Sequence, residues 1–427
     1  KYTAVVANPP YMGAKNMSAE LKQFVQDRYE DGKADLFAAF IMRNRQFLRH
    51  NAMLGMITMQ SWMFLSSFED LRRNLLASSA IETMSHLGAG AFDSIGGEVV
   101  STNAFTLKNS PSSGKGIYIR LVDVSGDSNQ ADACAEAING DANYRFEVNQ
   151  HEFAQIPGSP IVYWLSEAVF KIFDRKIAKG AGGDALSDIA DVAQGVTTGD
   201  NARFLRFWWE CYCRTIQFDR ISLQETPLQR WVPCDKGGDF RRWSGNNEYI
   251  VDWTENGKKL FDFPGSTPRN REITFKNALA CSKISSGQPS FRRRNHGFAY
   301  SDAAVALSDS TLLSELNCFL NSTTALTIMQ ALSPTLNFEV GQIRSLPCKF
   351  GISANWRDRE KELVSASEKD WDSFETSWDF QRFALLDPDQ GAQAGNLLED
   401  AVLHLREYWH RVSEEQRQRE IRNNEMV

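Results

Sequence analysis

Two consecutive prolines, Pro9-Pro10, stand just past the run Thr3-Ala4-Val5-Val6-Ala7. A short continuous apolar run rich in valine reads as a strand buried on both faces, the kind found in parallel sheets. Proline has no N–H to give a sheet and fixes its own φ. The strand must therefore end at Ala7-Asn8, and the chain must leave the sheet there. Beyond the prolines the chain alternates in period. "DLFAAFIMRNRQFLRH" repeats apolar residues at helical spacing, "MLGMITMQ" is a second strand, "SFEDLRRNLLA" a second helix and "IETMSHLG" a third strand. "VVSTNAFTLKN" and "GIYIRLVDV" are two more strands with no helix between them. This order predicts an α/β domain over 1–125 whose parallel sheet finishes with an antiparallel hairpin.

Residues 126–158 are polar and irregular and read as a linker. Residues 159–350 mix a helical segment, "PIVYWLSEAVFKIFDRKI", with short aromatic-rich stretches and many Gly/Asn/Ser turns, which predicts an α+β or mostly β second domain. Residues 351–427 read as a helical carboxy-terminal region, with "EDAVLHLREYWHRVSEEQRQREIR" as one long amphipathic helix. No run of about 18 apolar residues predicts a membrane span, and no signal peptide is visible. The seven cysteines show neither a CxxC nor a paired framework, which points to a reduced, cytoplasmic protein. Position 1 is lysine and runs straight into the first strand. The expectation is a piece of a longer chain.

Asn8-Pro9-Pro10-Tyr11 after a buried strand suits one task, the methylation of an exocyclic amino group. The lone pair of such a nitrogen is delocalised into the ring, so the site must accept both N–H protons and let the nitrogen turn toward sp3. The Asn8 side-chain oxygen accepts one proton and the Pro9 carbonyl the other. The two prolines hold that carbonyl in one direction and offer no competing N–H. Tyr11 supplies a flat face for a base that has left the duplex stack. The methyl donor would be S-adenosylmethionine. The competing reading is a plain strand-ending turn, since Asn-Pro marks turns. The strand before the motif and the α/β pattern after it favour the chemical one.

The net charge of −7 is uneven: residues 352–427 hold 10 Lys/Arg and 17 Asp/Glu, and the remainder balances. An acidic tail, suited to docking a partner, therefore hides local basic patches. Three stretches of the second domain carry them: "DVAQGVTTGDNARFLRFWWE", "WVPCDKGGDFRRWSGNNEYIVDW" and "CSKISSGQPSFRRRNHGFAY". Lys236, Arg241, Arg242, Lys283, Arg292, Arg293 and Arg294 are the candidate DNA contacts, with Gly and Ser permitting close backbone approach to phosphate. An Arg triplet is also what a solvated loop contains, and the methylation motif tips the choice. Cys211, Cys213 and Cys234 and the six histidines have no ligand spacing, so no metal is expected. Pro233-Cys234 and Pro347-Cys348 lie outside the α/β segment and are read as chance dipeptides rather than cytosine-methylating nucleophiles.

The opening segment resembles the amino-methyltransferases, whose N6-adenine members carry (D/N)PP(Y/F). "GVTTGDNARFLRFWWE", "KGGDFRRWSGNNEYIVDW", "FKNALACSKISSGQPSFR", "SPTLNFEVGQIRSLP" and "DWDSFETSWDF" extend the resemblance over nearly the whole chain, to the PglX-type methyltransferases of BREX phage-defence systems and the single-chain restriction–modification enzymes related to them. The resemblance implies the carboxy-terminal half of a Rossmann-like methyltransferase domain, followed by an α+β target-recognition domain. The main S-adenosylmethionine loop would lie upstream of residue 1. It implies site-specific N6-adenine methylation of double-stranded DNA, marking host DNA as self alongside other BREX proteins. The piece alone would be inactive. It further implies that Phe92 stacks on the flipped base opposite Tyr11, with Phe105 as the fallback, and that Asp35 and Phe37 line the cofactor pocket. Asp35 is equally a helix cap, Phe92 equally core, and Phe105, in mid-strand, more readily core. Gly88-Ala89-Gly90 is a weak second candidate for a cofactor loop. The alternatives are the methyltransferase–specificity portion of a restriction–modification enzyme, methylation of RNA or a protein amide, and a DNA- or partner-binding module without catalysis.

Overall fold

The computed structural model describes residues 1–89, 100–124, 127–140, 142–173, 184–223, 229–284, 288–332, 338–350, 355–383 and 398–427. The chain forms two units. One is built from 1–181 with 331–334, the other from 182–330 with 335–427.

The first unit is a six-stranded mixed sheet in the order β1-β2-β4-β3-β5-β6. β1 (Tyr2–Ala7) pairs parallel with β2 (Leu48–Met59) through a crossover that contains α1 (Ala19–Arg28) and α2 (Leu36–Phe47). The apolar run that reads as a strand buried on both faces is, in this chain, an open edge. Among the described residues β1 pairs with β2 alone, and Val6 is 84% exposed. α3 (Glu69–Ser78) leads to β3 (Ala80–Gly88). β4 (Thr102–Lys108) runs antiparallel between β2 and β3, and β5 (Lys115–Arg120) lies parallel to β3. The two strands expected to close the sheet as a hairpin therefore do not pair with each other. Alternation explains why β4 is central: Asn103, Phe105 and Leu107 are buried together with Ala52, Leu54, Met56 and Thr58 of β2.

The linker expected at 126–158 is instead part of this unit. α4 (Asp127–Asn139) packs Cys134 and Ala137 on Ile117, Ile119 and Leu87. Its Gln130 amide donates to the carbonyls of Leu87, Leu121 and Val124. β6 (Arg145–Asn149) adds antiparallel to β5. Gln150 then accepts from Ile81 N and donates to the Leu76 and Ser79 carbonyls, which ties the chain back to the α3–β3 corner. The segment 159–173, assigned from sequence to the second domain, also belongs here. Ile161, Val162 and Tyr163 are buried ahead of the short α5 (Glu167–Phe173).

Among the described residues the second unit holds two four-stranded sheets and one two-stranded ribbon. The first sheet is ordered β14 (Ala299–Tyr300), β10 (Trp231–Asp235), β11 (Tyr249–Asp252), β9 (Leu205–Phe207). The second is β13 (Phe291–Arg294), β12 (Ala278–Ser282), β15 (Ala304–Ser308), β8 (Asp191–Gln194). β7 (Asp184–Ala185) pairs with β16 (Pro347–Cys348). The central strands "ALACS" and "AVALS" are buried throughout, their alanines letting layers close on both faces. The region from 355 onward is not a separate body. The helix Trp356–Trp371 packs its Trp356 and Leu363 with Trp243 and Cys318, and Asn423 of the helix Leu398–Met426 donates to the Cys318 carbonyl at 2.9 Å.

A buried charge cluster joins the two four-stranded sheets. Asp235, at the end of β10, accepts from Arg294 Nε at 2.7 Å and from Gly237 N at 2.8 Å, and lies 3.7 Å from Arg292 Nη2. Arg294 also donates to the Gly245 carbonyl at 2.8 Å. Burial works to raise the Asp235 pKa, but Arg294 and Arg292 hold the carboxyl below its ordinary value. Removing one member of a buried pair leaves an uncompensated charge, which typically costs about 3–5 kcal/mol. We expect Asp235→Asn to lose stability on that scale in denaturant unfolding. A loss under about 1 kcal/mol, the range of exposed pairs, would contradict this role.

Candidate active site

The candidate site is built on one sheet edge. β1 and β2 are parallel, with Ala7 opposite Met56, so Asn8 leaves the sheet on the same side as Gln60, which comes next after β2. β3 runs in the same sense, two antiparallel steps away through β4. Asn8 and Pro10 are exposed, Pro9 is buried and Tyr11 is half-buried. The Tyr11 ring meets Phe37 edge-on at 6.1 Å, and Phe37 in turn meets Phe68 at 5.6 Å. The Tyr11 hydroxyl is buried and has no partner among the described residues, and burial raises its pKa.

Asp35 fixes the chain after the motif. Its Oδ1 accepts from Met12 N at 3.0 Å and, as the cap of α2, from Phe37 N at 3.3 Å. Leu36 N donates to Met12 O and Ala14 N to Ala34 O, so residues 12–14 are laced to 34–36. Burial raises the Asp35 pKa against the lowering effect of these amides. The approach is close: a Cβ on Gly32 would stand 2.7 Å from Ala39 N, so only glycine lets this turn lie on α2.

A second network stands at the far side of the edge. His86 of β3 is locked between Tyr163 OH (3.0 Å from Nδ1) and Gln60 Oε1 (2.6 Å from Nε2). Tyr163 stacks on Tyr118 at 4.9 Å, and Arg120 lies 4.7 Å over the Trp164 ring. Burial first, and Arg120 second, lower the His86 pKa to about 4, so the ring is neutral near pH 7. Sequence reading missed this residue. Its one available signal was a polar side chain at an inward position of β3.

The other sequence candidates divide. Asp35 is the cap. Phe37 is sealed, with no exposed surface, and supports Tyr11 rather than lining an open pocket. Phe92 and Gly90 lie outside the described residues. Phe105 is core, 5.1 Å from Trp62. Gly88 has a φ of 68°, and a Cβ there would meet Val122 at 3.1 Å, so packing fills that position.

Five of the seven candidate DNA contacts are engaged inside the second unit. Arg292 and Arg294 are 0% and 1% exposed and serve the Asp235 cluster, a correction to their expected place at phosphate. Strand alternation turns them inward and Arg293 outward, to Glu360 at 3.5 Å. Arg241 pairs with Asp370, and Arg242 with Glu420 at 2.9 Å. Lys236 lies 4.4 Å over Tyr249, at the end of an aromatic ladder in which Phe207 meets Tyr249 at 4.7 Å and stacks on Trp209 at 4.6 Å. Lys283 is half-buried.

Comparison with known proteins agrees with the resemblance read from sequence. Residues 1–92 match the Eco57I restriction-modification methylase family. A protein named adenine-specific methyltransferase PglX, from Lacticaseibacillus casei (strain Zhang), is 37% identical over 402 residues, which is 90% of this chain and 32% of that protein. The adenine-specific methyltransferase BrxX of Escherichia coli O9:H4 (strain HS) is 35% identical over 393 residues, 91% of this chain and 31% of that protein. The chain thus spans about a third of the length of these relatives. The type IIL restriction-modification enzyme MmeI, solved in complex with DNA, superposes with a TM-score of 0.52 at 12% identity, covering 96% of this chain and 57% of that one. At this identity the likeness is one of mixed α/β fold. Among the described residues no helix is long and apolar enough to cross a membrane.

Asp35→Ala removes a cap worth about 1 kcal/mol and up to about 2. Faster amide exchange at Met12 and Phe37 should accompany the loss, and unchanged exchange there would contradict the tether. For His86 the folded pKa of about 4 lies below the ordinary 6.5, so the unfolded chain binds the extra proton between those values. Its neutral burial therefore costs stability as pH falls from about 6.5 toward 4, by roughly 3 kcal/mol in all. Against wild type, His86→Gln should gain ground over that interval in chemical unfolding; parallel pH profiles would contradict the assignment.

Proposed function

We propose that the first unit holds the target amine of an S-adenosylmethionine-dependent DNA adenine N6-methyltransferase, and that the second unit is its target-recognition domain. The main support is the placement of Asn8-Pro9-Pro10-Tyr11. The motif leaves a parallel strand pair with Asn8 exposed, the prolines unable to donate, and an aromatic face braced from below by Phe37. Asn8 Oδ1 and the Pro9 carbonyl accept the two N6 protons, which favours the pyramidal nitrogen of the transition state over the planar ground state. Tyr11 receives the extruded ring.

S-adenosylmethionine supplies the electrophilic methyl group. Of the residues that resemblance assigns to it, Phe37 is sealed, and Asp35, half-buried, engages two backbone amides through Oδ1. The names of the relatives support adenine as the target and a BREX-type setting, in which the methyl mark identifies host DNA and other BREX proteins are the partners.

The test is methyl transfer by the full polypeptide that carries this chain, with labelled S-adenosylmethionine and duplex DNA digested to nucleosides. N6-methyladenine is the expected product. Asn8→Ala should lower transfer at least about a hundredfold, the effect of removing one preorganised polar contact, while leaving DNA affinity within a few-fold. Label on RNA or protein, or an active Asn8→Ala enzyme, would overturn the reading.

A further inference from the structure

The second unit contains a cleft of about 610 Å³ whose charge is lopsided. Lys276, Arg293, His296 and Arg357 line it, with Ser310 and Thr311 beside them and Asp309 as the one acid among the described residues of its wall. It lies just beyond the register row in which Arg294 and Ser308 flank Ala278, at the end of the β13-β12-β15 sheet. Each of these four side chains comes from a different element: Lys276 precedes β12, Arg293 is on β13, His296 comes just after it, and Arg357 opens the helix Trp356–Trp371. Lys276 pairs with Asp309, and Arg293 reaches the buried Glu360 only at 3.5 Å. Glu360 also accepts from Ser314 Oγ at 2.7 Å and Asn317 Nδ2 at 3.0 Å. His296 Nδ1 faces the Phe275 carbonyl at 3.2 Å, which makes Nδ1 the donor and leaves Nε2 free of that bond. Arg357 is exposed and makes no ion pair among the described residues.

We infer that this cleft holds backbone phosphates of the DNA, with Arg357, Lys276 and Arg293 as the phosphate ligands. The inference rests on the DNA reading and locates one place where the second unit meets the duplex. Three side chains with fixed positive charge converge with two hydroxyl donors, the equipment of a phosphate contact. The volume exceeds what a lone oxyanion needs. Apart from the His296 ring, the wall has no aromatic face for a nucleobase among the described residues, which favours a phosphodiester strand over a free nucleotide. Strand alternation gives the Arg triplet a divided role: Arg292 and Arg294 hold the two sheets together, and Arg293 faces the ligand.

The test uses the full polypeptide carrying Lys276→Gln and Arg357→Ala, two positions outside the buried clusters, so the fold should survive. DNA affinity is measured against salt for target and non-target duplexes. The double variant should bind both more weakly, with the slope of log affinity against log salt reduced by about one to two, since each phosphate contact contributes about 0.9. Lys276→Arg with Arg357→Lys should restore most of the slope. Wild type is also titrated with ATP and with inorganic phosphate. If either binds wild type and not the double variant while DNA affinity is unchanged, the cleft takes a free phosphate ligand and the assignment to DNA falls. An unchanged affinity and slope would overturn the cleft while leaving the DNA reading intact. A wild-type protein that binds no DNA would remove the DNA reading itself.

Discussion

A proline cannot donate to a sheet, and two in succession cannot be bridged by a bulge. That constraint ends β1 at Ala7 and turns Asn8 out at the edge where β2 also ends. Everything at the candidate site is arranged around the forced exit. Asp35 catches the Met12 amide just beyond Tyr11, through an acceptor that also caps α2. One carboxylate thus sets both the return of the loop and the start of the helix. That helix then delivers Phe37 under Tyr11. The geometry is held by the backbone and by buried rings, and the group proposed to do chemistry, Asn8, is left facing solvent.

The second unit shows how an excess of acid and an excess of base can cancel within one fold. The helices after residue 355 provide Glu360, Asp370 and Glu420, and these meet Arg293, Arg241 and Arg242. Glu420 also accepts from the Trp243 indole at 2.6 Å, so the ion pair is part of a packed contact. Three acids of the tail, which composition alone would assign to docking a partner, therefore serve as internal counter-charges. In the Lys276–Arg357 cleft the balance differs: Lys276 and Arg293 have acidic partners and Arg357 has none among the described residues.

The strand-ending motif, the α/β alternation, the Asp35 cap and the long carboxy-terminal helix could all be read from local pattern, because each depends on residues within a few positions of one another. The features that sequence did not reveal depend on distant partners. Arg294 finds Asp235 across 59 positions, and nothing in "FRRRN" announces that two of its arginines point inward. The strand period separates Arg292 and Arg294 from Arg293 but does not say which face is inward, since Phe291, on the Arg293 face, is buried as well. The segment 126–158 reads as a linker because its residues are small and polar. Its helix is stabilised by Ala137 and Cys134 seated on a sheet, and by a glutamine that satisfies three carbonyls, neither of which composition reveals. The hairpin expected from β4 and β5 failed for a related reason: adjacency in sequence favours pairing, but β4 is buried between β2 and β3.

The decisive measurement is a structure of the full polypeptide bound to its duplex and a non-reactive analogue of S-adenosylmethionine. One adenine should stand out of the stack, its ring against Tyr11 and its N6 within about 3 Å of both Asn8 Oδ1 and the Pro9 carbonyl. An extruded adenine held elsewhere, with Asn8 still facing solvent, would refute the role assigned to the motif.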